Sequence, residues 1–297
     1  MSKPPFLALP ARARAYRLAT ARGEFAVHEA GSGATAVLLP GFTGSKEDFI
    51  GLLEPLAAAG FRVVAVDGRG QFETGGPHRE AAYAQEELAR DVHAVAAALG
   101  NTARGRIHLL GHSLGGLIAR AAVLQDPAPF ASLTLVSSGP GAVAPSQQER
   151  VRMLLGALTS MSMAAIWTVM QELDQSVGAA GEAPYSRQEA AEASGAVEEF
   201  LRHRWMSNVT EQLTATGRQL LSEPDRVAEL AALPLPFHVV SGAQDDAWPV
   251  PQLDGMAEQL AARRTVVPDA GHSPNAERPQ ETARALAEFW HGVPGAA

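Results

Sequence analysis

The chain has 297 residues, of which 46% are apolar and 19% charged, proportions typical of a globular protein with a substantial core. Its 24 basic and 32 acidic residues give a net charge of −8. This balance disfavours nucleic acid as a partner, since a nucleic-acid-binding protein needs a basic face to neutralise phosphates. Because the chain contains no cysteine, disulfide bonds, thiolate zinc sites and a thiol nucleophile are excluded.

Apolar runs bounded by turn residues alternate with stretches of helical pattern along most of the chain. An initial hairpin is predicted at residues 16–20 and 24–29. The strand-like runs that follow are residues 36–39, 61–66, 107–110, 133–137, 237–241 and 265–267. The helix-like stretches between them are residues 46–59, 81–99, 114–125, 249–260 and 279–291. Continuous apolar strands that are each followed by a helix predict an α/β fold, with a mostly parallel central sheet flanked by helices.

This alternation breaks between residues 141 and 233, a region of helical composition with no convincing strand. We interpret it as an inserted helical cap, so that residues 1–140 and 234–297 form the core. Within it, residues 153–170 carry no charge, and their serines, threonines and glycine favour a buried or pocket-lining helix over a membrane span. The N-terminal residues lack the apolar core of a signal peptide, which predicts a cytoplasmic protein.

The sequence GHSLG at residues 111–115 places a lone serine, Ser113, between a strand-like run and a helix-like run. A serine that only caps a helix needs no glycine two residues before it and two after it. A nucleophilic serine needs both glycines. It lies on a sharp strand-to-helix turn that lifts its side chain out of the sheet, and this turn crowds the strand against the helix. The backbone N–H of Leu114 then points from a helix N-terminus at the space where an oxyanion develops.

Together with four other segments, this motif resembles the α/β-hydrolase family, in the branch with a serine nucleophile and a helical cap. GHSLG matches the family's G-x-S-x-G nucleophile turn. The other segments are LLPGFTGS (38–45), VVAVDGRGQFET (63–74), VVSGAQDDAWPV (239–250) and PDAGHSPNAERP (268–279). Pro40 stands where many members have histidine, and Thr74 departs from the serine of the family's D-x-R-G-x-G-x-S stretch.

The resemblance implies a catalytic triad of Ser113, His272 and Asp245, in the chain order Ser…Asp…His. Two adjacent aspartates are candidates for the acid. The resemblance favours Asp245, and we expect Asp246 to accept backbone N–H groups near the start of the following helix. A second oxyanion donor, besides the Leu114 amide, would be the backbone N–H of Phe42.

Two other polar features receive structural interpretations. Asp67, at the end of its strand, is expected to hold the following Arg69 loop rather than to act as the acid. The segment EEFLRHRW (198–205) carries three basic side chains, for which we favour a solvated helix face over a position above the pocket.

We expect a serine hydrolase that cleaves a carboxylic ester, lactone or thioester through an acyl-enzyme, without a cofactor or metal ion. The alternatives are the same triad used for acyl transfer, C–C bond cleavage, perhydrolysis or proton transfer, and a ligand-binding protein without enzymatic activity. A methionine-rich cap suits a small hydrophobic substrate, although the same side chains are equally consistent with packing of the cap onto the core. The candidate pocket residues are Met161, Trp167, Met170 and Trp248.

Overall fold

The computed structural model describes residues 1–100, 105–177 and 187–294. Strands in these ranges form one eight-stranded sheet with the order β1-β2-β4-β3-β5-β6-β7-β8. They are β1 (Ala13–Thr20), β2 (Gly23–Ala30), β3 (Ala34–Leu39), β4 (Phe61–Val66), β5 (Ile107–His112), β6 (Phe130–Val136), β7 (Phe237–Gly242) and β8 (Arg263–Val267). β2 is antiparallel to both β1 and β4, and every other neighbouring pair is parallel. The predicted mostly parallel sheet is confirmed.

Helices follow the parallel strands as the sequence pattern predicts. The α-helices of the described ranges are α1 (Ile50–Ala58), α2 (Gln85–Ala98), α3 (Leu114–Gln125), α4 (Pro145–Ser160), α5 (Met163–Val177), α6 (Arg187–Ser207), α7 (Thr210–Ser222), α8 (Val227–Ala231), α9 (Val250–Gln259), α10 (Pro274–Glu277) and α11 (Pro279–His291). The stretches predicted at 46–59 and 81–99 begin as 3₁₀-helices, Lys46–Phe49 and Glu80–Tyr83. The extended backbone of Ala84 (ψ 145°) separates the second of these from α2.

Apolar side chains cover both faces of the sheet. On one face, α2, α3 and α9 pack against the strands through side chains that include Val92, Leu117 and Met256. On the other face, α1 and α11 pack through side chains that include Leu52 and Leu286. Burial on both sides explains why the strands appear in the sequence as continuous apolar runs.

Helices α4 to α8 lie between β6 and β7, within the region interpreted as an insertion. Three of them, α5, α6 and α7, share an apolar cluster of Ile166, Trp167, Leu201, Trp205 and Leu213. Phe42, in the loop after β3, packs against this cluster and also against the core cluster on the α3 face of the sheet. The inserted helices therefore contact the core at the end of the sheet where β3 ends.

The uncharged stretch 153–170 belongs to two helices, so the prediction of a single buried or pocket-lining helix over these residues is wrong. The backbone at Met161 is extended, and the Ser162 hydroxyl caps a new helix by accepting the N–H of Ala165 at 3.2 Å. No residue of α4 is buried and Met153 is 66% exposed, whereas Trp167 in α5 is buried. Across the described ranges, none of the helices combines the length and apolar character that crossing a membrane requires.

A buried ion pair ties α6 to the core. Arg204 and Asp48 have side chains with 0% exposure, and Nη1 of Arg204 lies 2.6 Å from Oδ1 of Asp48. The same guanidinium donates to the Ser45 hydroxyl at 3.3 Å and to the Ser2 carbonyl at 2.7 Å. The prediction that the basic side chains of residues 198–205 lie on a solvated helix face is therefore wrong for Arg204, whereas Arg202 on the same helix is exposed.

We predict that Arg204→Met lowers the free energy of unfolding by about 3–5 kcal/mol, because it leaves the Asp48 carboxylate buried without its cation. Arg202→Met on the same helix is the matched control, and its effect should stay within about 0.5 kcal/mol. Urea denaturation measures both changes. Equal effects of the two substitutions would contradict the structural role assigned to the pair.

The turn from β5 into α3 leaves no room for a side chain at Gly111. A Cβ atom there would lie 2.2 Å from the Gly115 carbonyl oxygen and 2.4 Å from the Gly116 nitrogen. Both contacts involve backbone, which cannot turn away as a flexible side chain does. The glycine two residues before Ser113 is thus required by the close approach of the strand to its own helix.

We predict that Gly111→Ala lowers the free energy of unfolding by about 1–3 kcal/mol through this overlap. Gly255 lies in the middle of α9, and a Cβ atom added to it would have nothing within 4 Å. Gly255→Ala should raise the free energy of unfolding by about 0.5–1 kcal/mol, since alanine is the better helix former. Opposite signs in urea denaturation are the expected result, and a stabilising Gly111→Ala would refute the close contact.

Candidate active site

Ser113 lies at the turn between β5 and α3. Its backbone has φ 53° and ψ −121°, with a positive φ that residues other than glycine seldom adopt. The neighbouring strand β6 stabilises this conformation, since the Ser113 N–H donates to the Val136 carbonyl at 2.9 Å. The sequence motif thus folds into a strained strand-to-helix turn with the serine at its tip.

Three side chains from separate loops meet at this turn. His272, in the loop after β8, has its Nε2 atom 3.0 Å from the Ser113 hydroxyl oxygen. Its Nδ1 atom lies 2.9 Å from Oδ1 of Asp245, in the loop after β7. Because β5, β7 and β8 run parallel, their carboxyl ends lie at one edge of the sheet, where ligands of such sheets bind. The structure brings together the three residues that the sequence singled out.

The Asp245 carboxylate is fully buried, with 0% side-chain exposure. Its Oδ1 atom accepts the His272 ring nitrogen and also the backbone N–H of Ala247 at 3.0 Å. Burial by itself raises the pKa of a carboxyl group, but the hydrogen bond and charge of His272, together with the Ala247 N–H, hold the pKa of Asp245 below its ordinary value. Asp245 is therefore ionised at neutral pH beside the His272 ring.

Asp246 is exposed and points away from this site. Its Oδ2 atom accepts the side-chain amide of Gln147 at 2.8 Å and lies 3.8 Å from Nη1 of Arg150. The prediction that Asp246 accepts the backbone N–H groups of the turn is wrong. Asp245 accepts the N–H two residues ahead of it, as aspartates at the start of a turn commonly do.

The backbone around His272 is held at three points. The N–H groups of Gly271 and Ser273 donate to the two carboxylate oxygens of Glu277, at 2.6 Å and 2.9 Å. The carbonyl of His272 accepts a hydrogen bond from Nε2 of His112 at 2.9 Å. The sequence does not single out Glu277, because an acidic residue near a helix start is common and usually only complements the helix dipole.

Two buried histidines on β5 carry no charge at neutral pH. Burial lowers the pKa of His108 to about 4, and burial together with the charge of His272 lowers the pKa of His112 to about 3. His108 pairs with the Ser132 hydroxyl at 2.8 Å and stacks on Trp290. In the part of the chain that the structure describes, no three His, Asp or Glu side chains form a group that could hold a metal ion.

Both predicted oxyanion donors lie next to Ser113. Leu114 is the first residue of α3, and the first N–H groups of a helix have no carbonyl partner one turn earlier. No described residue accepts a hydrogen bond from the Phe42 amide. A Cβ atom on Gly41 would lie 3.2 Å from the Cβ atom of Ser113, so the loop that carries Phe42 passes directly beside the serine.

The four predicted pocket residues do not form one group. Met161 is 39% exposed at the end of α4, whereas Trp167 is buried in the apolar cluster of the inserted helices and Met170 packs against it. Trp248 has 0% exposure, with its ring centroid 6.3 Å from that of His272 and its indole N–H donating to the Gly141 carbonyl at 3.0 Å. Trp248 is therefore a buried neighbour of His272.

Asp67 is structural, as expected, but its partners differ from the prediction. Its carboxylate accepts the Lys46 backbone N–H at 2.7 Å, the Lys46 ammonium at 3.1 Å and the Glu73 N–H at 3.2 Å. Arg69 pairs with Asp91 instead, at 2.6 Å. The Lys46 ammonium also lies 2.6 Å from Oε2 of Glu73 and 2.8 Å from Oε1 of Glu47, so Asp67 is one of several carboxylates around this buried cation.

Comparisons with known proteins agree with this geometry. A family model described as the alpha/beta hydrolase family matches residues 36–285. A pimeloyl-acyl-carrier-protein methyl ester esterase of Aeromonas hydrophila is 29% identical over 268 residues, which cover 89% of this chain and 98% of that protein. A proposed carbamate hydrolase of Variovorax paradoxus, RutD, is 39% identical over 114 residues, which cover 38% of this chain and only 41% of that protein.

A solved structure is similar over most of the chain. A thermophilic esterase from Thermogutta terrifontis superposes with a TM-score of 0.73 and 25% identity, covering 94% of this chain and 99% of that one. The match of the family model extends over most of the sequence, and the sheet order and helix placement are those described above. The chain therefore belongs to the alpha/beta hydrolase family and is a hydrolase.

Proposed function

We propose that the protein is a serine hydrolase that cleaves a carboxylic ester, lactone or thioester through an acyl-enzyme formed on Ser113. The observation that carries this proposal is the continuous pair of hydrogen bonds from Ser113 through His272 to the buried Asp245, at 3.0 Å and 2.9 Å. A serine hydroxyl is a weak nucleophile at neutral pH and needs such a base within hydrogen-bond reach.

The first half of the reaction forms the acyl-enzyme. Ser113 Oγ attacks the substrate carbonyl carbon while Nε2 of neutral His272 takes the hydroxyl proton, and Asp245 stabilises the imidazolium that results. The substrate oxygen becomes an oxyanion that accepts hydrogen bonds from the amides of Phe42 and Leu114. The tetrahedral intermediate then collapses, and His272 gives its proton to the departing alcohol or thiol.

The second half releases the acid. A water molecule, deprotonated by His272, attacks the acyl carbon through a second tetrahedral intermediate that uses the same two amides. Collapse of this intermediate breaks the bond to Ser113, whose oxygen recovers the proton from His272. The His272 ring is held against rotation throughout, because Asp245 accepts its Nδ1–H.

We also propose that the described residues of the region 141–233 form a cap over the site and favour a substrate with an apolar portion. Phe42 supports this, since it carries a proposed oxyanion donor and packs against the apolar cluster of the inserted helices. Trp167 belongs to the same cluster, and Met170 packs against it. The methyl ester named for the Aeromonas hydrophila relative supports an ester as the bond that is cleaved.

We predict that Ser113→Ala abolishes labelling by a fluorophosphonate probe and reduces hydrolysis of p-nitrophenyl esters. The variant should retain only the roughly 10³–10⁴-fold acceleration over water that the oxyanion donors and binding supply. Ser138→Ala is the matched control, since Ser138 is also buried beside the start of α3 and its hydroxyl has no hydrogen-bond partner among the described residues. Undiminished labelling of Ser113→Ala would disprove the assignment of the nucleophile.

We predict that Asp245→Asn lowers kcat by up to about 10⁴-fold, because an amide does not hold the productive tautomer of the histidine. Asp246→Asn, one residue away, should leave kcat within about twofold, since surface substitutions have small effects. Circular dichroism and thermal melting check that both variants fold. A larger loss in Asp246→Asn than in Asp245→Asn would reverse the assignment of the acid.

A further inference from the structure

The side chain of Gln71 reaches from the loop after β4 to the loop that carries Phe42. It is 4% exposed, and its Nε2 atom donates to the Gly41 carbonyl at 2.7 Å and lies 3.4 Å from the Phe42 carbonyl. Its Oε1 atom accepts the Gly68 backbone N–H at 3.2 Å. These partners fix the orientation of the amide, because carbonyls require the NH₂ group and the N–H requires the oxygen.

The orientation of the Gly41 carbonyl determines where the Phe42 amide points. The carbonyl of Gly41 and the N–H of Phe42 belong to one planar trans peptide, in which the two groups point in opposite directions. The carbonyl oxygen accepts the Gln71 amide at 2.7 Å and also the Gly44 N–H at 3.1 Å, and these two bonds fix the Phe42 N–H on the opposite side. Hydrogen bonding at the carbonyl also polarises the peptide and makes its N–H a stronger donor.

Gln71 is itself held by a rigid turn. Its N–H donates to the Gly68 carbonyl at 3.0 Å, and its carbonyl accepts the Thr74 N–H at 2.8 Å. The next residue, Phe72, has a positive φ of 39°, so its backbone angles lie outside the right-handed helical and extended regions. A side chain that starts from a fixed backbone and is bound at both ends of its amide has little freedom to move.

We propose that Gln71 is a positioning residue that holds the Gly41–Phe42 peptide in the orientation needed to stabilise the oxyanion. The inference rests on the proposed function, because it assumes that the Phe42 amide serves the tetrahedral intermediates. Gln71 touches no reacting atom and acts through the loop backbone at Gly41 and Phe42. The sequence does not indicate this role, because Gln71 occupies a variable position of the D-x-R-G-x-G-x-S pattern.

The test is Gln71→Met, which keeps the length of the side chain and removes the donor. We expect kcat/KM for a p-nitrophenyl ester to fall about 10- to 100-fold, less than the loss of a whole oxyanion donor, with KM changed less than about threefold. The inhibition constant of an aryl trifluoromethyl ketone should rise by the same factor as kcat/KM falls. Such a ketone forms a tetrahedral adduct with an oxyanion on the serine, so it reports on the same stabilisation.

Gln219→Met is the matched control. Gln219 is a half-buried glutamine on α7 whose Nε2 atom donates to the Tyr83 carbonyl at 2.7 Å, the same kind of bond at the same length. Loss of this hydrogen bond should lower the melting temperature of the protein without changing kcat or the inhibition constant of the ketone. Gln71→Glu is the second variant, since it keeps the shape and the acceptor for Gly68 but its carboxylate cannot donate to Gly41. We expect it to fold and to lose kcat at least as strongly as Gln71→Met.

Unchanged kcat/KM in Gln71→Glu or in a folded Gln71→Met, with an active wild-type enzyme, overturns the inference and leaves the proposed function standing. A loss that Gln219→Met matches, or one that appears in KM rather than in kcat and in the ketone's inhibition constant, also overturns it. A wild-type protein that neither hydrolyses esters nor reacts with the fluorophosphonate probe contradicts the proposed function and this inference together.

Discussion

The start of helix α3 lies against the end of strand β3 with no space for a side chain between them. A Cβ atom on Gly115 would lie 2.4 Å from the Leu39 carbonyl oxygen and 2.5 Å from that of Pro40. This backbone contact brings the turn that carries Ser113 next to the loop that carries Phe42. The remaining groups of the site depend on it, because a serine and an oxyanion donor act on one carbonyl only when both lie within about 3 Å of it.

Two neighbours set the charge around His272. The Asp245 carboxylate is buried and bound to one ring nitrogen, and its pKa is held below the ordinary value. The ring centroid of His112 lies 5.1 Å from that of His272, and burial lowers the pKa of His112 to about 3, so His112 is neutral. A positively charged His112 at that distance would repel the imidazolium of the proposed mechanism. His112 therefore serves as a hydrogen-bond donor to the loop without acting against the proposed base.

Much of the architecture could be predicted from the sequence, because buried parallel strands leave continuous apolar runs and a strand-to-helix serine turn leaves paired glycines. The proximity of Ser113, His272 and Asp245 followed from the order of the motifs. The predicted roles of Asp246 and Arg204 are wrong, and the sequence predicts no role for Gln71 or Glu277. Each of these depends on which partner a side chain meets, and for Arg204 and Asp48 that partner lies 156 residues away in the chain. Periodicity and local spacing carry no information about such a contact.

Among the described residues, two buried ion pairs join the inserted helices to the core, and they limit how the insertion can be exchanged. Besides Arg204 with Asp48, Arg120 on α3 pairs with Glu223 after α7 at 2.6 Å, with side chains 2% and 4% exposed. In each pair one partner belongs to the core and the other to the insertion. A chimera that receives the helices of a relative inherits both core charges, Asp48 and Arg120. Recombination within this family must therefore transfer the arginine and the glutamate with the new helices, or replace their partners at the same time.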